Sequence, residues 1–238
     1  MKATGWEQEE ELRGASALCN LFANFLNTKI SVGDAEYATG LMEALEGLWA
    51  SSARQEDSAL GAAEASTDES LLAAAKAAMA ADAVAAQERL AVERTRYVRG
   101  LRAGNSVKPP FESLYLTEND SLEEIASVAG AYRVAGFQLT EELLNRPDSL
   151  ATELSFLAQL FGEAAQAVSR DDIEAAHALC QEAGKFTRNH LGKWGPSYCE
   201  QAAEATDSEL FRLAMILMGD FIKSLTEEEE GKGKTNCN

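Results

Sequence analysis

Apolar residues recur at helical spacing along almost the whole chain. Leu18, Leu21, Phe22, Phe25 and Leu26 follow the i, i+3, i+4, i+7, i+8 rule and predict an amphipathic helix over residues 7–30. Gly33-Asp34 reads as a turn, with Asp34 placed to cap a second helix that carries Tyr37, Leu41, Leu45, Leu48 and Trp49. Residues 51–67 are small and polar and predict a loop. Ser66-Thr67-Asp68-Glu69 then has the form of a capping box ahead of Leu71-Leu72. From there to Gly100 the chain is rich in alanine and free of proline, so one long helix is expected.

Residues 104–119 interrupt the pattern. Pro109-Pro110-Phe111-Glu112-Ser113-Leu114-Tyr115-Leu116 predicts an extended or irregular crossing. Asp120 or Ser121 can cap the next helix, which carries Leu122, Ile125, Ala129, Tyr132 and Gly136. A short helix from Thr140 is expected to end at Arg146-Pro147. Leu150, Leu154, Leu157, Phe161, Ala164 and Val168 form the clearest stripe in the sequence. The helix over 171–190 follows after a short turn, so the two are expected to be antiparallel neighbours. Phe186, His190 and Trp194 share one face if that helix runs on, and Gly192, Gly195 and Pro196 are expected to stop it. By spacing alone this stripe reads as a core seam. The last helix, residues 208–225, is apolar on most faces and belongs inside a bundle. No alternating strand pattern and no separating linker is found. The expectation is a single-domain, all-α bundle over residues 1–226, followed by a polar, disordered tail over 227–238.

Charge narrows the partners. Lys and Arg total 21 against 39 Asp and Glu, so the formal net charge is 21 − 39 = −18. Nothing supplies the clustered positive charge that nucleic acid or an anionic membrane surface requires. No apolar run approaches the roughly 20 residues that span a bilayer, and the first residues carry no secretory apolar segment. Cys19, Cys180, Cys199 and Cys237 are scattered, as in a reducing compartment, and the protein is expected in the cytoplasm.

Candidate chemistry is sparse. Glu174-Ala175-Ala176-His177 is half of a di-iron signature, but Thr187 stands where a second glutamate would precede His190. Two histidines and scattered cysteines spell no zinc site. Gly231-Lys232-Gly233-Lys234-Thr235 imitates a phosphate loop without its first glycine or its flanking strand. No nucleophile stands beside His190 in sequence. No catalytic residue, metal or cofactor is therefore assigned.

Three patches in order carry a resemblance. Glu93-Arg94-Thr95-Arg96 leads into Pro109-Pro110-Phe111-Glu112-Ser113-Leu114-Tyr115. Arg146-Pro147-Asp148-Ser149-Leu150-Ala151-Thr152-Glu153-Leu154-Ser155-Phe156 follows, and then Phe186, His190, Leu191 and Trp194. Together they resemble the TorD/DmsD-type, NarJ-like redox-enzyme maturation chaperones. The likeness covers roughly residues 89–221. Arg146 stands where that family has an acidic residue, and Ser149 where it has histidine.

The resemblance implies an all-helical chaperone of the TorD-like type, without catalysis. Such a chaperone binds the twin-arginine leader or the apo form of a molybdenum-cofactor oxidoreductase and holds it until its cofactor is inserted. It implies a partner-binding set of Pro147, Asp148, Ser149, Glu153, His190, Trp194, Phe186, Glu112 and Tyr115. Asp148 can pair with an arginine or cap the helix that begins at Leu150. A monomer and a homodimer both fit. Two alternatives stay open: a helical adaptor or subunit for another protein partner, and a metal enzyme built on clustered carboxylates.

Overall fold

The computed structural model describes residues 5–52, 62–99, 107–116, 122–139 and 146–234. Among the described residues there are ten helices and no strand. They are α1 (Gly5–Asn27), α2 (Glu36–Ser52), α3 (Ala62–Ala81), α4 (Ala83–Val98), α5 (Glu112–Leu116), α6 (Leu122–Val134), α7 (Leu150–Ser169), α8 (Ile173–Asn189), α9 (Leu191–Ala205) and α10 (Glu209–Lys234). The chain is all-α. The proposed caps at Asp120 and Ser121 and the short helix from Thr140 lie outside the described residues.

Two compact units emerge, and each is assembled from separated stretches of sequence. The first comprises Met1–Thr28, Pro110–Pro196 and Ile222–Asn238; the second comprises Lys29–Pro109 and Ser197–Phe221. Because the stretches interleave, no linker in the sequence could mark the division.

In the first unit α1 lies along α7, and α7 packs against α8. The stripe predicted for α7 is buried: Leu150, Leu154, Leu157, Ala164 and Val168 all lie in the core. Leu12 of α1 meets Ala164, Ala165, Ala167 and Val168 of α7 and Ala176 of α8, flanked by Phe161, Leu179 and Cys180. Ser16 Oγ donates to the Ala158 carbonyl at 2.7 Å, fixing the register of α1 on α7. The turn between α7 and α8 puts Asp171 at φ 61°, a left-handed position that aspartate tolerates better than most residues. Asp172 then caps α8 by accepting from the Ala175 N–H at 3.1 Å. Tyr132, Phe137, Phe156 and Phe186 form one aromatic cluster with ring centroids 4.8–5.7 Å apart.

The second unit holds α2, α3 and α4 together with residues 197–205 of α9 and 209–221 of α10. Gln87, fully buried on α4, ties this unit together. It accepts from the Ala38 N–H at 2.9 Å and donates to Asp34 Oδ1 at 2.6 Å and to the Ser31 carbonyl at 3.0 Å. Asp34 accepts from the Glu36 N–H at 3.2 Å, in keeping with its expected capping place. The Glu93–Tyr97 stretch grips the turn between α9 and α10. Glu93 accepts from the Thr206 hydroxyl at 2.8 Å and the Asp207 N–H at 3.3 Å, and Tyr97 donates to the Ala205 carbonyl.

Four sequence expectations are corrected. The alanine-rich run is two helices, because Asp82 adopts extended backbone (φ −162°) and caps α4 through the Ala85 N–H at 3.0 Å. Ser66–Glu69 lies inside α3, whose start at Ala62 is carried by Ala62, Ala63, Glu64 and Ala65, strong helix formers with no need of that box. The crossing after Pro110 closes into a short helix, α5. Gly192, Gly195 and Pro196 do not stop a helix but lie within α9. Pro196 gives up only the bond to the Gly192 carbonyl, near the start of α9. The break falls earlier, at His190, whose φ −126° and ψ −97° leave the helical region. At the far end α10 continues to Lys234, past the last apolar residue at Leu225, first through four glutamates of good helix propensity and then across Gly231 and Gly233. Cys19, Cys180 and Cys199 are free thiols; Cys19 is fully buried, and burial pushes its thiol up.

Candidate functional site

The candidate residues meet in the first unit, where three pieces of irregular backbone converge. Residues 110–113 and 146–150 lie side by side, joined by an isolated antiparallel bridge between Phe111 and Ser149. The Glu112 N–H donates to the Asp148 carbonyl at 2.8 Å, and the Leu150 N–H to the Pro110 carbonyl at 3.1 Å. This two-bond clasp fixes Glu112 beside the start of α7. The third piece is the break at His190. Its N–H still closes α8 on the Phe186 carbonyl at 2.9 Å, while its carbonyl accepts the Lys193 N–H at 3.0 Å and so opens α9.

Because the helix breaks there, Phe186, His190 and Trp194 are not a straight seam. His190 and Trp194 still reach two adjacent acids, Glu112 and Glu153, and Phe186 lies against the His190 ring. His190 Nδ1 lies 2.9 and 3.2 Å from the two Glu112 oxygens, and its ring stacks 4.9 Å from that of Phe186. Trp194 Nε1–H donates to Glu153 Oε2 at 3.4 Å, and its ring lies 5.5 Å from that of Tyr115. Glu112 and Glu153 are both fully buried and adjacent. Burial first, and then the Glu112 charge, push the Glu153 carboxyl well above the ordinary carboxylate range. Both causes favour the protonated form of Glu153 over its carboxylate. Glu112 is also raised, mainly by burial, and the His190 contact opposes that rise. Glu153 Oε1 is buried without a hydrogen-bond partner.

Asp148 is fully buried but is not the helix cap. Ser149 takes that place, accepting from the Thr152 N–H at 3.2 Å. Asp148 instead accepts the Ser113 hydroxyl at 2.6 Å and the Ser113 N–H at 3.3 Å. It also pairs with Arg146, with Nε 3.1 Å from Oδ1 and Nη2 3.3 Å from Oδ2. The Arg146 guanidinium sits 3.8 Å over the Phe111 ring. Pro147 is buried, and its carbonyl accepts the Tyr132 hydroxyl at 2.9 Å.

All nine candidates are thus brought together. Seven are buried; Ser149 and Tyr115 are half-buried. Sequence reasoning missed Ser113, Phe111 and Tyr132 as members of the cluster, and treated Arg146 only as a departure from a family pattern. The one local signal was the arginine two residues before an aspartate with proline between them. The carboxyls and histidine have the makings of acid–base chemistry, but they are spent on one another inside the protein. No group of three or more His, Cys, Asp or Glu spaced to hold a metal occurs among the described residues, Glu174 and His177 included.

Two close approaches keep the corner compact. A side chain on Gly192 would lie 2.8 Å from the Thr187 carbonyl oxygen and 2.8 Å from Thr226 Oγ1. One on Gly195 would meet the ends of Ile222 and Leu191 at 3.2 Å. Glycine at these two places lets the start of α9 press against its neighbours.

A family model described as nitrate reductase delta subunit matches residues 53–200, more than half of the chain and including every residue of the cluster. No curated protein and no solved structure matches the chain.

Proposed function

Because this chain belongs to the nitrate reductase delta subunit family, the NarJ/TorD-type chaperones of molybdoenzyme maturation, we propose that it captures the twin-arginine leader or apo form of a molybdoenzyme in the cytoplasm. The family match over residues 53–200 carries this reading. The family is one of chaperones rather than catalysts. Charge supports capture of a leader: a chain at −18 attracts a segment whose recognition element is a pair of arginines. Among the described residues no helix is long and apolar enough to cross a membrane.

The buried cluster serves this role by holding the corner formed by residues 110–113, 146–150 and 190–194. The buried Glu153, the Glu112–His190 pair and the clasp fix the backbone on which any client contact depends. A catalytic use of the same carboxyls is disfavoured by their burial, since Glu112, Asp148 and Glu153 have no exposed surface on which a substrate could act.

The reading is tested in cells. When the gene is deleted, a client molybdoenzyme should accumulate without its molybdenum cofactor, measured as molybdenum per purified enzyme, and the gene supplied in trans should restore it. Full cofactor loading of every molybdoenzyme in the deletion strain would refute the proposal.

A further inference from the structure

We propose that a groove along α4, within the second unit, seats the client leader in extended form, with Glu88 and Asp207 each taking one arginine of its pair. The proposal rests on the leader-capture reading above and gives it an exposed surface, outside the buried corner of the first unit.

The groove follows from the pattern of α4. Ala85, Glu88, Arg89 and Val92 stand at i, i+3, i+4 and i+7 and so form one stripe of the helix. That stripe is one wall of a depression of about 450 Å³, which Asp207 of the turn between α9 and α10 also lines. A second depression of about 200 Å³ shares Arg89 and Asp207 and runs on to Ala86 and Leu210.

The lining holds apolar surface and charge in the open. Val92 is 55% exposed, and Val84, one turn before Glu88 on the same face, is 39% exposed. Glu88, Arg89 and Asp207 are all exposed. Among the described residues neither Glu88 nor Arg89 has an ion-pair partner, and Arg89 makes none with Asp207 although both line the groove. Asp207 feels the Arg96 charge but remains open to solvent. Glu93, by contrast, is buried and spent on Arg96 at 2.6 Å and on the Thr206 hydroxyl at 2.8 Å.

An extended leader matches this arrangement. Successive side chains of an extended segment point to opposite sides. Two adjacent arginines therefore meet two walls, Glu88 on α4 and Asp207 on the turn. Each carboxylate accepts a guanidinium fork, which lysine does not offer. The carbonyls of the segment, unpaired in extended backbone, take the Arg89 donors. Its apolar stretch covers Val92 and Ala85. From Ala85 to Val92 the helix rises about 10 Å, room for about three extended residues. The corner of the first unit presents no such acids, since Glu112, Asp148 and Glu153 are buried.

The test is isothermal titration of the full chain with the twin-arginine leader peptides of the molybdoenzymes encoded in the same genome. Glu88→Lys combined with Asp207→Lys should weaken the leader that binds at least tenfold. Glu123→Lys combined with Glu174→Lys makes the same change in net charge at exposed positions of the first unit, and should weaken it less than threefold. Val92→Ser should weaken it several-fold. All five positions are exposed, so the circular dichroism and urea midpoints of the variants should stay close to those of the wild type. Equal weakening by the two double variants, or weakening by neither, would overturn the groove and leave leader capture standing. A wild type that binds no leader would overturn both. A wild type that dimerises without leader, and returns to monomer on Glu88→Lys with Asp207→Lys, would give the groove to a second copy and overturn the leader as its occupant.

Discussion

Glu153 shows how far a single residue's behaviour is set by neighbours distant in sequence. Its folded form keeps a proton that the unfolded chain gives up near the ordinary value of 4.5. Folding takes up that proton at any pH between the unfolded and the folded pKa. Stability contributed by Glu153 is therefore full below about pH 4.5 and falls as pH rises through that window. Glu153→Gln mimics the neutral acid: its amide can donate towards Glu112 while its oxygen accepts from Trp194. Urea unfolding at pH 5, 6, 7 and 8 should show the variant gaining on the wild type as pH rises. Parallel curves would contradict a raised Glu153 carboxyl. Ser149→Ala removes the α7 cap and should cost about 1 kcal/mol in the same assay, with little pH dependence. Neither behaviour was legible in the sequence. Glu153 reads as one more acid in a −18 chain, and only the fold, by burying it and then by bringing Glu112 across the clasp, raises its carboxyl.

Helical elements were legible wherever the apolar stripe decided them. The α7 stripe was read residue by residue, because burial of one helix face is a local pattern. Breaks were not legible where a long-range contact compensates them. His190 leaves the helical region, yet its ring is held by Glu112 from 78 positions away and by Phe186 beneath it. The Asp82 break was in principle readable, since aspartate is a favoured cap, but an alanine run without proline masks it. The glycines of α9 read as stops in the sequence and are instead points of close approach. Gly192→Ala should cost about 1–3 kcal/mol in urea unfolding, since the new methyl would meet a backbone carbonyl oxygen that cannot yield. Gly195→Ala should cost less, because the ends of Ile222 and Leu191 can shift. A larger loss at Gly195 would contradict this packing.

For the whole molecule, the division into two interleaved units could not be seen in a chain that lacks a linker. The family, by contrast, was legible from three ordered patches, and their physical work is now apparent. The Glu93–Tyr97 patch grips the turn between α9 and α10 within the second unit. The rest of that first patch, Pro110–Tyr115, builds the corner of the first unit with the Arg146–Phe156 and Phe186–Trp194 patches. These residues hold irregular backbone in place, a task that periodicity cannot reveal. Electrostatics acts at this scale as well. Capture of an arginine-bearing leader by a chain at −18 should weaken as salt rises from about 50 to 500 mM, measured as the slope of log Kd against log salt. A salt-independent Kd would place the affinity in apolar contacts alone.

The most direct measurement is isothermal titration of the full chain with the twin-arginine leader peptides of the molybdoenzymes encoded in the same genome. Each is paired with a control in which both arginines are lysine. Saturable binding of at least one leader, weakened at least tenfold in its lysine control, is the predicted result. Absence of heat and of competition for every leader, with the protein folded and monodisperse, would contradict leader capture.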